Sequence, residues 1–252
     1  MSGKAVVVTG STGIAAATAH RLVARGHRVF TIARTPEKLE DLSAALGDAS
    51  AGWALADLSD EMLSEQAFAA AAEALGTIDA VVAVAGGSAR KFGDGWLHDM
   101  SLAAWNASLE LNLTSIFLTA REAVRHMRGR GGSLVLTSSV LATSPQADNF
   151  ATHGYAAAKA AISGWTIPLA AAYAGDGIRV NTVAPGLIRT PMAARAAADP
   201  MIVDFARRKQ PLSGGMIDPE RVAEANCWFV EAEEVTGQVL AVDGGWSVIS
   251  TS

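Results

Sequence analysis

A chain of 252 residues that is half hydrophobic and 18% charged has enough apolar material for one large α/β core. Its net charge of −5, with no long basic run, argues against nucleic acid and anionic membrane as partners, and 6% aromatic content is too little for a base-stacking platform. The single cysteine, Cys227, cannot form an internal disulfide, so a reducing, cytoplasmic setting is expected. Cys227 lies in the helix-like "RVAEANCWFVEAE" and reads as buried packing. The opening "MSGKAVVVTG" has no long apolar region and no cleavage site, so no signal peptide is expected. No apolar run approaches the roughly 18 residues of a membrane span.

In chain order, "KAVVVTG" reads as a strand ending in a turn and "IAAATAHRLVARG" as a helix closed by Gly26. "HRVFTIAR" is a second strand, and "PEKLEDLSAALG" a helix with proline at its start and glycine at its end. "AGWALADL" and "DEMLSEQAFAAAAEALG" follow as strand and helix, then "IDAVVAVAGG" as a fourth strand. "LAAWNASLELNLTSIFLTAREAVRHMRG" reads as one long helix, and "GSLVLTSS" as a fifth strand. A helix through "HGYAAAK" comes next, then strands at "GIRVNTVAPG" and "GQVLAVDGG". Nearly continuous apolar strands separated by helices predict a seven-stranded parallel sheet covered on both faces, a doubly wound α/β fold in one domain over residues 1–252. Residues 187–218 break the rhythm with several prolines and glycines. They read as a long loop with short helices, a candidate lid or substrate loop.

Thr9-Gly10 ends the first strand and Gly13 opens the next helix, a placement suited to a pyrophosphate on a helix N-terminus. Strand-to-helix turns also need glycine for steric reasons alone. Tyr155 and Lys159 stand four residues apart, on one helix face. By spacing alone they read as an accidental pair on an ordinary surface helix. No cluster has metal-ligand spacing.

Taken together, these features extend nearly end to end: Thr9-Gly10 with Gly13, Asp57 after the third strand, Ala85-Gly86 after the fourth, and Asn112 in the long helix. "TSSV", "YAAAK", "APGLIRTPM" and "TGQVLAVDGG" complete the series. In order and position the chain resembles the short-chain dehydrogenase/reductase family, in its single-domain, 3-oxoacyl-reductase-like branch. The resemblance implies a Rossmann fold and an oxidoreductase that moves a hydride between a nicotinamide cofactor and a carbonyl or secondary alcohol. It implies Tyr155 as proton donor and acceptor, Lys159 as its activator, Ser139 (rather than Ser138) as the carbonyl-orienting hydroxyl and Asn112 as fourth member, holding a water that links Lys159 to solvent. It assigns the cofactor to Gly10, Thr12, Gly13 and Ile14, to Asp57 and Leu58 near the adenine, and to Ala85, Gly86 and Asn112. Pro185, Gly186, Ile188 and Thr190 would meet the nicotinamide amide and phosphates, and Tyr155 and Lys159 the ribose. A homotetramer or homodimer is also implied.

A carboxylate ending the second strand would bind a ribose 2′-hydroxyl and repel a 2′-phosphate. Here Ala33 stands in its place and Arg34 follows, which favours NADP(H) over NAD(H). Phe92, Trp96, Ile188, Pro191 and Met192 suggest a moderately apolar substrate, for which a 3-oxoacyl thioester and a small ketone are both consistent.

Three departures from the family pattern carry expectations. Only Ser11 and Thr12 separate Gly10 from Gly13, where the branch has one residue more, so the loop is expected to wrap a pyrophosphate differently. Ala83 and Val84 replace two asparagines before Ala85-Gly86, which would strand a polar group unless its partner is lost too. Pro168 should kink or end the helix that begins near Tyr155 and so alter the subunit surface. Two rival classes share such a fold: a nucleotide-binding regulator or scaffold without turnover, and a lyase or isomerase.

Overall fold

The computed structural model describes residues 3–250, the Ala147 side chain excepted, so both ends of the expected domain at 1–252 extend past the described residues. Seven strands form one sheet: β1 (Ala5–Thr9), β2 (Arg28–Ala33), β3 (Ser50–Leu55), β4 (Ala80–Ala83), β5 (Gly132–Thr137), β6 (Ile178–Pro185) and β7 (Val239–Val242). All pairings are parallel, in the order β3-β2-β1-β4-β5-β6-β7. The order reverses between β1 and β4, and such a switch point opens a crevice beyond the strand ends.

Helices α1 (Ile14–Ala24), α2 (Pro36–Leu46) and α3 (Glu61–Leu75) connect the first strands; α4 (Leu102–Leu109) and α5 (Ser115–Met127) precede β5. A short α6 (Ala147–Phe150) and the long α7 (His153–Tyr173) follow, then α8 (Ala194–Ala198), α9 (Pro200–Lys209) and α10 (Pro219–Glu231). The β-branched strands explain both layers. Val6, Val8, Val82 and Val135 pack with Leu22 of α1 and Phe229 of α10. Val7, Val81 and Leu134, pointing the other way, pack with Phe68 of α3, Ile116 of α5 and Ile162 of α7. Cys227 is fully buried in the first layer, where burial pushes its thiol up to about 12, so it packs and does not react.

Several expected elements are corrected. The stretch read as one long helix contains a π-helical turn at Glu110–Thr114 between α4 and α5. Asn112 lies in it. Its Nδ2 donates to the Ser108 carbonyl (3.1 Å), and its Oδ1 accepts from the Gly87 amide (2.9 Å). Side-chain bonds of this kind bend the regular ladder. Strand β4 stops at Ala83, short of the expected "VAGG", because the Val84 and Ala85 amides turn to Thr9 Oγ1 at 3.0 Å each. Those amides are therefore satisfied without the two asparagines. Pro168 does not end α7, which runs on to Tyr173. Both Pro168 and Gly164, whose carbonyl loses its helical donor, are on the exposed face, so that oxygen is not stranded in the core. Residues 187–218 form, as expected, a long loop with short helices, α8 and α9. Their stems are joined by an Ile188–Ile217 bridge and by the buried Gln210, which pairs with both main-chain groups of Leu187. Among the described residues no helix is long and apolar enough to cross a membrane.

Candidate active site

A cavity of about 580 Å³ opens beyond the C-terminal ends of β1, β4, β5 and β6, at the switch point. The glycine turn forms one wall with Gly10, Thr12, Gly13 and Ile14. Ala85, Gly86, Pro185, Gly186, Ile188 and Thr190 also line it, with Thr190 close against Gly13. Ser139, Tyr155 and Lys159 enter from the third side.

Each of these groups has a structural reason for its place. Ser139 follows β5 and starts a short turn, its Oγ accepting from the Leu141 amide at 3.2 Å. Ser138 faces α7 instead. Its hydroxyl donates to the Lys159 carbonyl at 2.7 Å and contacts Ser163 Oγ at 2.7 Å, pinning the helix to the sheet. Lys159 is 3% exposed and donates from Nζ to the Thr137 carbonyl at 2.8 Å. Its ammonium lies 5.6 Å from the centre of the Tyr155 ring. Burial lowers the Lys159 pKa from the usual 10.5 to about 8. Burial also pushes the Tyr155 phenol above its usual range, and a hydrogen bond with the Ser139 side chain partly offsets this. Asn112 does not line the cavity. It lies behind Gly86, a position where a Cβ would come 2.9 Å from Asn112 Oδ1 and 3.7 Å from Lys159 Nζ.

Three expected cofactor residues also stand outside the cavity wall. Leu58 packs its side chain into the core. Arg34 and Asp57 form an ion pair with each other at 3.2 Å, their side chains 52% and 43% exposed. Burial raises the Asp57 carboxyl, but hydrogen bonds from Ser59 and Arg34 outweigh it and hold the pKa below the usual value. Phe92 and Trp96, expected on the substrate side, are exposed and off the cavity, while Arg90 and Lys91 from the same segment line it.

Sequence reasoning missed three residues. Asp94 is buried after β4, and its carboxylate accepts from the Gly154 amide (3.0 Å), the Tyr155 amide (2.8 Å) and Ser108 Oγ (3.1 Å). It therefore caps the first turn of the helix that carries Tyr155 and Lys159. Gly154, inside the "HGYAAAK" stretch, permits this: a Cβ there would lie 2.7 Å from Ser108 Cβ. The signal for Asp94 was an acid among glycines in "KFGDGW", with nothing nearby in sequence to name its partner. Trp246 closes the cavity from the C-terminal segment, edge-on to Phe150 at 5.5 Å and to Phe205 at 5.5 Å.

The residues present fit a nicotinamide dinucleotide. Gly13 caps α1 with φ 56, and a Cβ there would lie 2.8 Å from Thr190 Cγ2. No side chain caps this N-terminus and no acid lies in its first turn, so its amides and dipole face the cavity unneutralised. The shortened loop thus still delivers the helix to the site. Thr137 Oγ1, also in the wall, is buried with no hydrogen-bond partner.

Comparison with known proteins agrees. A family model described as enoyl-(acyl carrier protein) reductase matches residues 8–247. A cis-4-hydroxycyclohexanecarboxylate dehydrogenase from Sinomonas cyclohexanicum is 39% identical over 250 residues, covering 97% of this chain and 96% of its own. A 3beta-hydroxysteroid dehydrogenase 1 from Eggerthella lenta is 36% identical over 261 residues, covering 98% and 95%. The solved structure of a short-chain type dehydrogenase/reductase from Mycobacterium ulcerans superposes with a TM-score of 0.89 at 29% identity, covering 98% of this chain and 92% of that one. The chain belongs to the short-chain dehydrogenase/reductase family and is a nicotinamide-dependent oxidoreductase acting between CH–OH and C=O.

Proposed function

We propose that this enzyme interconverts a ring-borne ketone and its secondary alcohol with NADP(H), with Tyr155 as the proton donor and acceptor. The observation that carries the chemistry is the convergence of Ser139, Tyr155 and Lys159 on one wall of the cavity, with Lys159 held to the Thr137 carbonyl. When bound, the nicotinamide supplies or accepts the hydride. In the reductive direction Tyr155 gives its proton to the carbonyl oxygen, and Ser139 donates a hydrogen bond to the same oxygen as negative charge develops. Protonated Lys159, 5.6 Å from the Tyr155 ring, favours the phenolate left behind. Asn112 holds the π-turn that backs Gly86 and Lys159.

Two features support NADP(H). The end of β2 carries no carboxylate, and the half-exposed Arg34 guanidinium stands there able to meet a 2′-phosphate. The Arg34–Asp57 ion pair favours NAD(H) as a second reading, because it already engages the arginine. Ring substrates are supported by the two relatives, each named for a hydroxyl on a ring, and by the aromatic wall of Phe150 and Trp246. The segment 187–218 serves as substrate loop, with Met192 and Arg195 in the cavity wall and both stems pinned. A homo-oligomer is supported by the exposed Phe117 and Ile167 on α5 and α7 and by the exposed Val239 and Leu240 on the β7 edge.

The test is cofactor oxidation by the wild-type enzyme with cyclohexanone and a 3-oxosteroid, in NADPH and NADH separately. Turnover faster with NADPH is the expected result. Faster turnover with NADH would assign Arg34 to Asp57 alone. Tight cofactor binding with no ketone reduced would contradict the reading and leave a nucleotide-binding regulator.

A further inference from the structure

The substrate half of the cavity holds, beside Lys91, two arginines that are in no ion pair among the described residues. Arg90 follows β4, and Arg195 lies on α8 in the substrate loop; both line the cavity. Arg90 Nη2 donates to the Asn149 carbonyl at 3.3 Å, and Arg195 Nη2 donates to the same oxygen at 3.3 Å. One carbonyl oxygen can accept both bonds, but it brings only a partial charge to two full ones. Among the described residues neither arginine is in an ion pair. Asp94 is near enough to attract Arg90, yet both its oxygens are taken by Gly154, Tyr155 and Ser108. Burial first, and then the neighbouring Arg195, hold the Arg90 guanidinium below its usual range. Two guanidiniums held together against their own repulsion form a ready fork for a carboxylate.

Their position separates them from the cofactor. The glycine turn and Thr190 stand together at the α1 end. Arg90 and Arg195 instead meet at Asn149, in the segment between Ser139 and Tyr155. The same segment supplies Phe150, which meets Trp246 edge-on. A ring against Phe150 and Trp246, with its oxygen at Ser139 and Tyr155, would have an outward substituent within reach of this fork.

We infer that Arg90 and Arg195 bind a carboxylate on the substrate, so that the preferred substrate is a ketone or secondary alcohol whose ring also bears a carboxylate. This rests on the oxidoreductase reading for the reaction, but the binding it asserts can be measured without turnover.

The experiment titrates the cofactor-loaded enzyme calorimetrically with cyclohexanecarboxylate and, separately, with the neutral cyclohexanecarboxamide. The wild type is expected to bind the carboxylate about ten- to a hundredfold more tightly. Arg90→Gln and Arg195→Gln should each reduce that preference about tenfold, because a charge-assisted bond becomes a neutral one. Each side chain keeps part of its surface in solvent and neither is in the core, so the variants are expected to fold. Equal binding of the two probes by the wild type overturns the inference. So does a loss of cofactor affinity matching the loss of carboxylate affinity, which would give the arginines to the cofactor. In parallel, kcat/KM is measured for 4-oxocyclohexanecarboxylate and its carboxamide. Reduction of both at equal rates overturns the carboxylate site and leaves the oxidoreductase reading standing. Tight carboxylate binding with no reduction of either does the reverse.

Discussion

The two ends of the site are built to different standards. At the β4–β6 end the groups that hold the site in place are buried and cross-braced: Lys159 to Thr137, Ser138 to Lys159, Asn112 to Gly87, Asp94 to the start of α7. At the β2–β3 end Arg34 and Asp57 lie half in water and are held chiefly by each other and by Ser59. Buried hydrogen-bonded groups cannot move without stranding a partner, whereas exposed ion pairs exchange partners at little cost. The first end fixes a geometry for bond making. In the proposed function the second end can retune cofactor choice without disturbing it.

Substitutions should therefore divide by end. Lys159→Met removes the buried ammonium and the bond to Thr137, and kcat/KM for ketone reduction is expected to fall about 10²–10⁴-fold. A loss no larger than that of an Arg34 variant would break the comparison. The same lysine predicts a pH effect on stability. Its pKa falls from 10.5 unfolded to about 8 folded, so between those pH values the unfolded chain binds more protons and stability rises with pH. The gain reaches roughly 3 kcal/mol, measured by denaturant unfolding of the cofactor-free protein, and is absent from Lys159→Met. Because the buried Cys227 thiol acts in the opposite direction as the pH rises, the Lys159 part is read as the difference between wild type and Lys159→Met, and no difference would show that Lys159 is better solvated than its burial implies.

Asp94→Asn keeps the shape but turns one acceptor into a donor facing amide N–H groups. A stability loss of about 2 kcal/mol and a kcat lowered roughly tenfold, with cofactor affinity retained, are expected. A lower melting temperature with kcat intact would reduce Asp94 to a structural cap. The smallest effect belongs to the exposed end: Arg34→Ala should shift the NADPH-over-NADH preference by about tenfold and leave stability within about 0.5 kcal/mol. An unchanged preference would remove Arg34 from cofactor choice.

What was legible in the sequence follows the same division. Strands β1, β5 and β6 were readable because continuous β-branched runs have one stable use, in a sheet buried on both faces. The grouping of Ser139, Tyr155 and Lys159 was readable only through the order of motifs along the chain. Asp94 was not, since its partners lie 60 and 61 residues later and no local pattern marks them. The π-turn was hidden for a similar reason: the Asn112 side chain bonds back to Gly87, 25 residues earlier. Pro168 signalled a kink or an end to its helix, and the end is excluded because α7 continues to Tyr173. Arg34 and Asp57 were each assigned to the cofactor, and nothing in their spacing revealed that they pair.

The central claim is that Tyr155 carries the proton in a site otherwise assembled by its neighbours. Single-turnover reduction of cyclohexanone by Tyr155→Phe, preloaded with NADPH at measured occupancy, tests it most directly. Cofactor affinity close to wild type, with reduction slowed about 10²–10⁴-fold, is the expected result. Reduction at the wild-type rate would contradict it, because the phenylalanine ring fills the same space and has no proton to give.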